Sequence, residues 1–287
     1  CYLDGVSAET DTFGHGTFVA GMLAAAGNGI GTVGVAPKAK IQPLKCFESG
    51  VKTTVSMAAP AILDAVDKYG CRILNLSFGA PKASQTLKDA IDYAIGKGCI
   101  VVAAVGNDGN AELNYPAAYP GVIGVGSVNA SKAVSSFSQR NESVKLVAPG
   151  EQVVSTYTGS RYGSWEGTSF AAPLVSGAAA LLLGADDTLG PGEMSVLLTR
   201  SAVRLGEETY STSYGYGLLN IGRALRSLAD IPGDLDCDGA VTMRDALLLL
   251  RAILHADSLA DITVADMNGD GTLTLVDVLL LLRAAAM

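Results

Sequence analysis

The stretch W-E-G-T-S-F-A-A-P at 165–173, running into apolar residues 174–183, decides how the rest of this 287-residue chain is read. Small residues crowd against a serine, and an Ala/Leu run follows with the texture of a fully buried helix. Ser169 therefore belongs to that helix's first turn. There the unpaired backbone N–H groups and the positive end of the helix dipole face whatever the hydroxyl attacks. An isolated G-T-S is ordinarily an N-cap serine opening a core helix. Two other stretches reverse that reading. F-G-H-G-T-F-V-A-G at 13–21 puts His15 at the start of a small-residue helix, where the dipole disfavours imidazolium and keeps a proton acceptor available. I-V-V-A-A-V-G-N-D-G at 100–109 is a buried-strand run ending in Gly-Asn, so Asn107 sits at a strand end, where open α/β sheets place their sites. A carboxamide there can donate to a developing oxyanion, although Asn107 alone reads as a turn residue. Nucleophile, base and oxyanion donor are three of the parts acyl transfer needs.

G-H-G-T-F-V-A-G at 14–21, G-I-G-T-V-G-V-A-P at 29–37, N-L-S-F-G at 75–79, V-V-A-A-V-G-N at 101–107, Y-P-A-A-Y-P at 115–120, V-A-P-G at 147–150 and G-T-S-F-A-A-P at 167–173 follow one another in order. Over residues 9–225 the chain thus resembles the subtilisin-type serine proteases (subtilases, peptidase family S8). The resemblance implies that Ser169 is the nucleophile, His15 the general base and acid, and Asn107 an oxyanion donor beside the Ser169 N–H. It also implies that Ser77, Phe78 and Gly79 bind the substrate backbone as an added strand. Ala104 and Gly106 would then help form the first specificity pocket, and Phe78 hints at an apolar preference.

One departure matters. The family's catalytic carboxylate lies in a D-[ST]-G strand roughly thirty residues before the histidine, and fourteen residues precede His15 here. The expectation is that this aspartate lies off the end of the chain, on a strand from the middle of the sheet. Its loss would leave a slot between strands and a protein that is unstable alone. Asp11 falls where the family has a second, non-catalytic acid, and Asp4 matches nothing.

The length allows one large domain and one small one. The net charge of −8 is unevenly placed: residues 234–287 carry nine Asp and three Arg, a net −6, and the first 233 residues only −2. That balance argues against nucleic acid and for cations. The five cysteines make no paired framework and read as mostly reduced and inert. No signal peptide is visible, and the leucine-rich runs 246–250 and 278–282 are too short to span a bilayer, so no membrane anchor is expected.

Hydrophobic patterning predicts a helix at 14–26, a strand at 39–46 and a helix at 54–69. A strand at 72–77, a helix at 84–97 and strands at 100–105, 122–128 and 144–148 follow. A hairpin from 153–156 and 159–162 precedes the serine helix, and helices at 193–202 and 218–229 close the domain. This alternation gives an α/β fold, a subtilisin-like parallel sheet with helices on both faces and its N-terminal central strand absent. The tight loop at 27–31 corresponds to a family calcium site to which Asn28 would contribute, with its other ligands missing.

D-I-P-G at 230–233 separates this domain (1–229) from a different texture at 234–287. D-L-D-C-D-G-A-V-T-M-R-D at 234–245 recurs 32 residues later as D-M-N-G-D-G-T-L-T-L-V-D at 266–277, and a leucine-rich helix follows each copy. Each is a twelve-residue calcium loop. The oxygen ligands would be Asp234, Asp236, Asp238, Ala240 through its carbonyl, Thr242 and Asp245, then Asp266, Asn268, Asp270, Thr272, Thr274 and Asp277, with glycine at the sixth position for the turn. The duplicated loop and helix resemble a type I dockerin, a small all-α module by which secreted enzymes plug into cohesin domains of a scaffold. By that resemblance Met243, Arg244, Leu275, Val276, Arg251 and Arg283 read the partner, and two calcium ions are needed to fold so small a core. The reading is a secreted, scaffold-bound serine endopeptidase acting on polypeptides, with a catalytically degenerate subtilase-fold binding module as its rival.

Overall fold

The computed structural model describes residues 1–3, 7, 10–47, 54–206, 208–228, 232–236, 238–255 and 264–286. A four-stranded parallel sheet forms the centre, with strands β1 (Ile73–Leu76), β2 (Ile100–Ala104), β3 (Ile123–Val128) and β4 (Val144–Pro149) side by side in chain order. Ile73 pairs with Ile100, Val102 with Ile123 and Gly124 with Val144.

Side-chain alternation along β2 divides the core in two. Val101, Ala103 and Val105 point to the face covered by α2 (Ala59–Asp67) and α3 (Gln85–Gly96). Ile100, Val102 and Ala104 point to the opposite face. That face is covered by α4 (Thr168–Ala185), α5 (Pro191–Arg200) and α6 (Ile221–Ser227). Every residue of β2 is buried, as a parallel strand with helices on both sides requires. The α4 helix is long and apolar enough to cross a bilayer, and here it packs on the sheet as the central core helix.

A shorter helix, α1 (His15–Ala24), lies against α4 and against the two-stranded antiparallel hairpin β5 (Val153–Tyr157) and β6 (Arg161–Trp165). Close approach is possible because of glycine. A Cβ on Gly21 would sit 2.1 Å from Thr156 Oγ1 and 2.4 Å from Ser155 Oγ.

Three predicted elements differ. The strand expected at 39–46 forms no ladder: Tyr2 donates to the Lys45 carbonyl at 2.9 Å, but no neighbouring strand runs along this segment among the described residues, and Pro43 has no N–H to offer. The helix expected at 54–69 is a 3₁₀ turn (Val55–Ala58) followed by α2, with Pro60 in the first turn, where its missing donor costs nothing. The helix expected from 218 starts at Ile221, N-capped by the Asn220 side chain on Arg223 N–H, because Leu218 instead bridges Val147 and Val203.

Beyond the sheet, α7 (Met243–His255) and α8 (Leu275–Ala284) pair around a separate small core of Leu235, Ala246, Leu249, Val264, Ala265, Val278 and Leu281. Of the expected linker at 230–233, residues 230 and 231 lie outside the described residues.

Candidate active site

Ser169 is the second residue of α4, and its own N–H meets no protein acceptor among the described residues. The preceding residue is locked. The Thr168 N–H and the Thr168 hydroxyl both donate to Asn107 Oδ1, each at 2.9 Å. A backbone N–H can only donate, so it fixes the carboxamide oxygen on the helix side and leaves the Asn107 Nδ2 hydrogens pointing away from that anchor. Asn107 itself follows directly on the end of β2, and Gly106, at φ +111°, turns the chain there: a Cβ would meet Asn114 Nδ2 at 2.3 Å.

His15 opens α1 after Gly14, whose φ of +87° no β-carbon would tolerate against the Tyr157 ring. Burial holds the imidazole pKa below its ordinary value, partly opposed by the Asp11 charge. The ring is therefore neutral near pH 7 and able to accept a proton. Asp11 is not the imidazole's orienting partner. Its carboxylate accepts from Gly14 N–H (2.7 Å), Thr17 N–H (2.8 Å) and the Thr17 hydroxyl (2.7 Å), capping α1. Burial acts to raise the Asp11 pKa, but those three bonds outweigh it and the net shift is downward. Asp4 lies outside the described residues.

His15, Asn107 and Ser169 line one cavity of about 550 Å³ together with Phe13, Gln152, Ser164, Trp165, Glu166 and Phe170. The serine hydroxyl donates to the Ser77 carbonyl at 3.2 Å, while Ser77 Oγ donates back to the Ser169 carbonyl at 2.7 Å. This reciprocal pair ties the end of β1 to the nucleophile turn.

The two acidic loops repeat one hydrogen-bond pattern. In the first, Asp245 takes Leu235, Asp236 and Thr242 N–H groups, and Asp234 takes those of Asp238 and Gly239. In the second, Asp277 takes Met267, Asn268 and Thr274, and Asp266 takes Asp270 and Gly271. Asp234, Asp236 and Asp245 are all buried and bring carboxylate oxygens within 4.8 Å of one another. Asp236 Oδ2 lies against Arg244 Nε at 3.1 Å, but without hydrogen-bond geometry. Burial, then the Asp245 and Asp238 charges, push the Asp236 pKa up. Converging buried carboxylates that repel one another are the donor set of a hard divalent cation, and calcium fits it. Ala240 and Thr272 stand at the position that contributes a backbone carbonyl, and Asp238, Thr242, Asn268, Asp270 and Thr274 at the other ligand positions.

Residues 3–217 match the subtilase family, peptidase family S8. The chain belongs to the subtilases. Residues 232–284 match the type I dockerin domain, so the chain is a subtilisin-type serine endopeptidase carrying a dockerin. It is 40% identical to subtilisin DY of Bacillus licheniformis over 227 residues, covering 78% of this chain and 81% of that protein. Among solved structures, the protease domain of PatA superposes with a TM-score of 0.70 at 29% identity, covering 77% and 82% of the two chains. Fervidolysin of Fervidobacterium pennivorans, a keratinolytic enzyme related to subtilisin, superposes at 0.69 with 34% identity, over 74% of this chain and 36% of that one. Both families generally bind calcium.

In this subtilase the cavity lining includes none of the expected substrate-binding residues Ser77, Phe78, Gly79, Ala104 and Gly106. Gly79 is exposed near Ser77, and the Phe78 ring packs tilted against Phe47, centroids 4.7 Å apart, and partly buried against the core. Ala104 is 4% exposed and packs in the core face shared with α4. Asn28 is exposed, and its carboxamide oxygen accepts the Ile30 N–H. The aromatic lining, Phe13, Trp165 and Phe170, was missed by sequence reasoning. Its signal was adjacency to the G-H-G and G-T-S motifs.

Proposed function

We propose that the chain hydrolyses peptide bonds with Ser169 as nucleophile and His15 as base. Ser169 Oγ attacks the peptide carbonyl carbon as its proton passes to His15. Asn107 Nδ2 and the Ser169 N–H hold the oxyanion, and His15 returns the proton to the leaving amine. Water then releases the acyl group by the same route. The observation that carries this reading is the single cavity lined by His15, Asn107 and Ser169, with the Asn107 amide turned by Thr168.

The Ser77–Gly79 edge and the turn at Gly106 would receive the substrate strand. Domain limits of 1–229 and 234–287 suit the three separate core clusters. The dockerin, loaded with two calcium ions, would dock a secreted enzyme to a cohesin. Met243, Leu275 and Val276 offer exposed apolar contact, and Arg244, Arg251 and Arg283 are exposed as well.

No carboxylate among the described residues orients the imidazole, and losing that group lowers turnover by ~10⁴. The test compares this chain with one carrying a subtilase D-[ST]-G strand upstream, each assayed on a chromogenic peptide beside its Ser169→Ala variant. A gain of several orders of magnitude that Ser169→Ala abolishes is expected. Equal activity of the two forms, or activity surviving Ser169→Ala, would refute the assignment.

A further inference from the structure

The chain has one tryptophan, and it ends β6 four residues before Ser169. Trp165 is the hub of a ring cluster. Its centroid lies 5.4 Å from Phe18 (nearly parallel, 18°), 5.4 Å from Tyr157, 5.6 Å from Phe13 and 5.6 Å from Phe170. The His15 imidazole is part of the same cluster, 6.3 Å from Trp165 and 5.4 Å from Phe170. These separations fall in the range where aromatic rings attract and orient one another. No hydrogen bond to the imidazole is found among the described residues, so the rings are what holds it.

The β5–β6 hairpin that carries Trp165 is bonded to the helix that carries His15. Tyr157 Oη donates to the Phe13 carbonyl (2.9 Å), Thr156 Oγ1 to that of Thr17 (2.9 Å) and Ser155 Oγ to that of Phe18 (2.8 Å). At its other end the hairpin runs through Glu166 and Gly167 into α4 and the nucleophile. As a purely structural element it would be a poor one, since it stands outside the main sheet with Val154 and Tyr162 about half exposed. We propose that Trp165 is a positioning residue that, with Phe170, fixes the His15 ring at the Ser169 cavity, and that the hairpin is the strap joining base to nucleophile. This rests on the peptidase reading for its functional meaning but not for its geometry.

Because Trp165 is the sole tryptophan, its emission reports the contact directly: an imidazolium beside an indole quenches it by accepting an electron from the excited state. In the intact chain, emission titrated from acid to neutral pH should show one step with a midpoint below the ordinary histidine value of about 6.5, in line with the downward shift at His15. His15→Gln should abolish the step while the thermal melt persists. In parallel, a fluorophosphonate reads Ser169 nucleophilicity without peptide turnover. Trp165→Ala should slow phosphonylation by about ten- to a hundredfold and move its acid limb upward, the loss expected when a reacting group is displaced by about an ångström. Trp165→Phe, which keeps a ring there, should stay within about threefold of the parent. Emission that ignores His15, an unchanged rate and pH limb in Trp165→Ala, or equal damage in Trp165→Phe would overturn the proposal. A step present when even the form carrying a D-[ST]-G strand upstream is never labelled by the fluorophosphonate would sustain the ring contact and sink the peptidase reading instead.

Discussion

Thr168 takes no part in bond making, yet it decides which end of Asn107 faces the cavity. The Thr168 backbone N–H can only donate, so a rotated carboxamide would set Nδ2 against it and lose that bond, which makes the flipped amide the costlier one. Asn107→Asp keeps that anchor and removes the donor. It should cut the phosphonylation rate by about 10²–10³, the usual loss when one oxyanion donor is removed; a variant labelled as fast as the parent would take Asn107 out of the oxyanion site. His15 carries a pH consequence of defined sign. Its pKa is depressed by burial and propped up by Asp11, so the neutral base persists below the ordinary histidine value. Asp11→Asn should move the acid limb of labelling lower still, and an upward move would show that the two groups do not interact as charges. The same depression means that the unfolded chain takes up the proton first. His15 therefore costs no stability above pH ~6.5, and stability falls as pH drops from there toward the folded value.

Elements follow the same logic at the next scale. The parallel sheet was legible because β2 is a continuous apolar run, I-V-V-A-A, and such a run bounded by glycines fits a strand covered on both faces. The nucleophile helix was legible for a related reason, since A-A-P-L-V-S-G-A-A-A-L-L-L has no polar face to give water. The segment at 39–46 was misread because apolar pattern records burial, whereas a strand also needs a neighbour, which lies elsewhere in the sequence. The ring cluster was illegible for a similar reason: Phe13, Phe18, Tyr157, Trp165 and Phe170 come from three segments, and only the folded α1–hairpin contact assembles them. That contact depends on Gly21, whose place no larger residue can take while Ser155 and Thr156 Oγ atoms stand where they do. Gly21→Ala should cost about 1–3 kcal/mol by overpacking, read as a lower urea midpoint, and should weaken labelling through the displaced α1. An unchanged midpoint would show that the hairpin yields freely.

At the scale of the molecule, calcium and catalysis are built in separate places. Among the described residues the core cluster around α7 and α8 gathers seven buried apolar residues, a small core for a module of some fifty residues, which therefore needs help to offset the entropy of ordering. The help available is ionic. Asp234, Asp236 and Asp245 crowd together with like charge, which opposes folding until a divalent cation turns the repulsion into coordination. Asp245→Ala combined with Asp277→Ala removes the last ligand of both loops and the acceptor that gathers their N–H groups. In calcium-containing buffer this double variant should lose the far-ultraviolet helical signal of α7 and α8, as the parent does on chelation. Its fluorophosphonate labelling should stay within about twofold, because the sheet-based domain has its own core and contact-distant sites act independently. Labelling that collapses together with the helices would mean that the dockerin gates the peptidase, and the division of labour argued from the separate cores would be wrong.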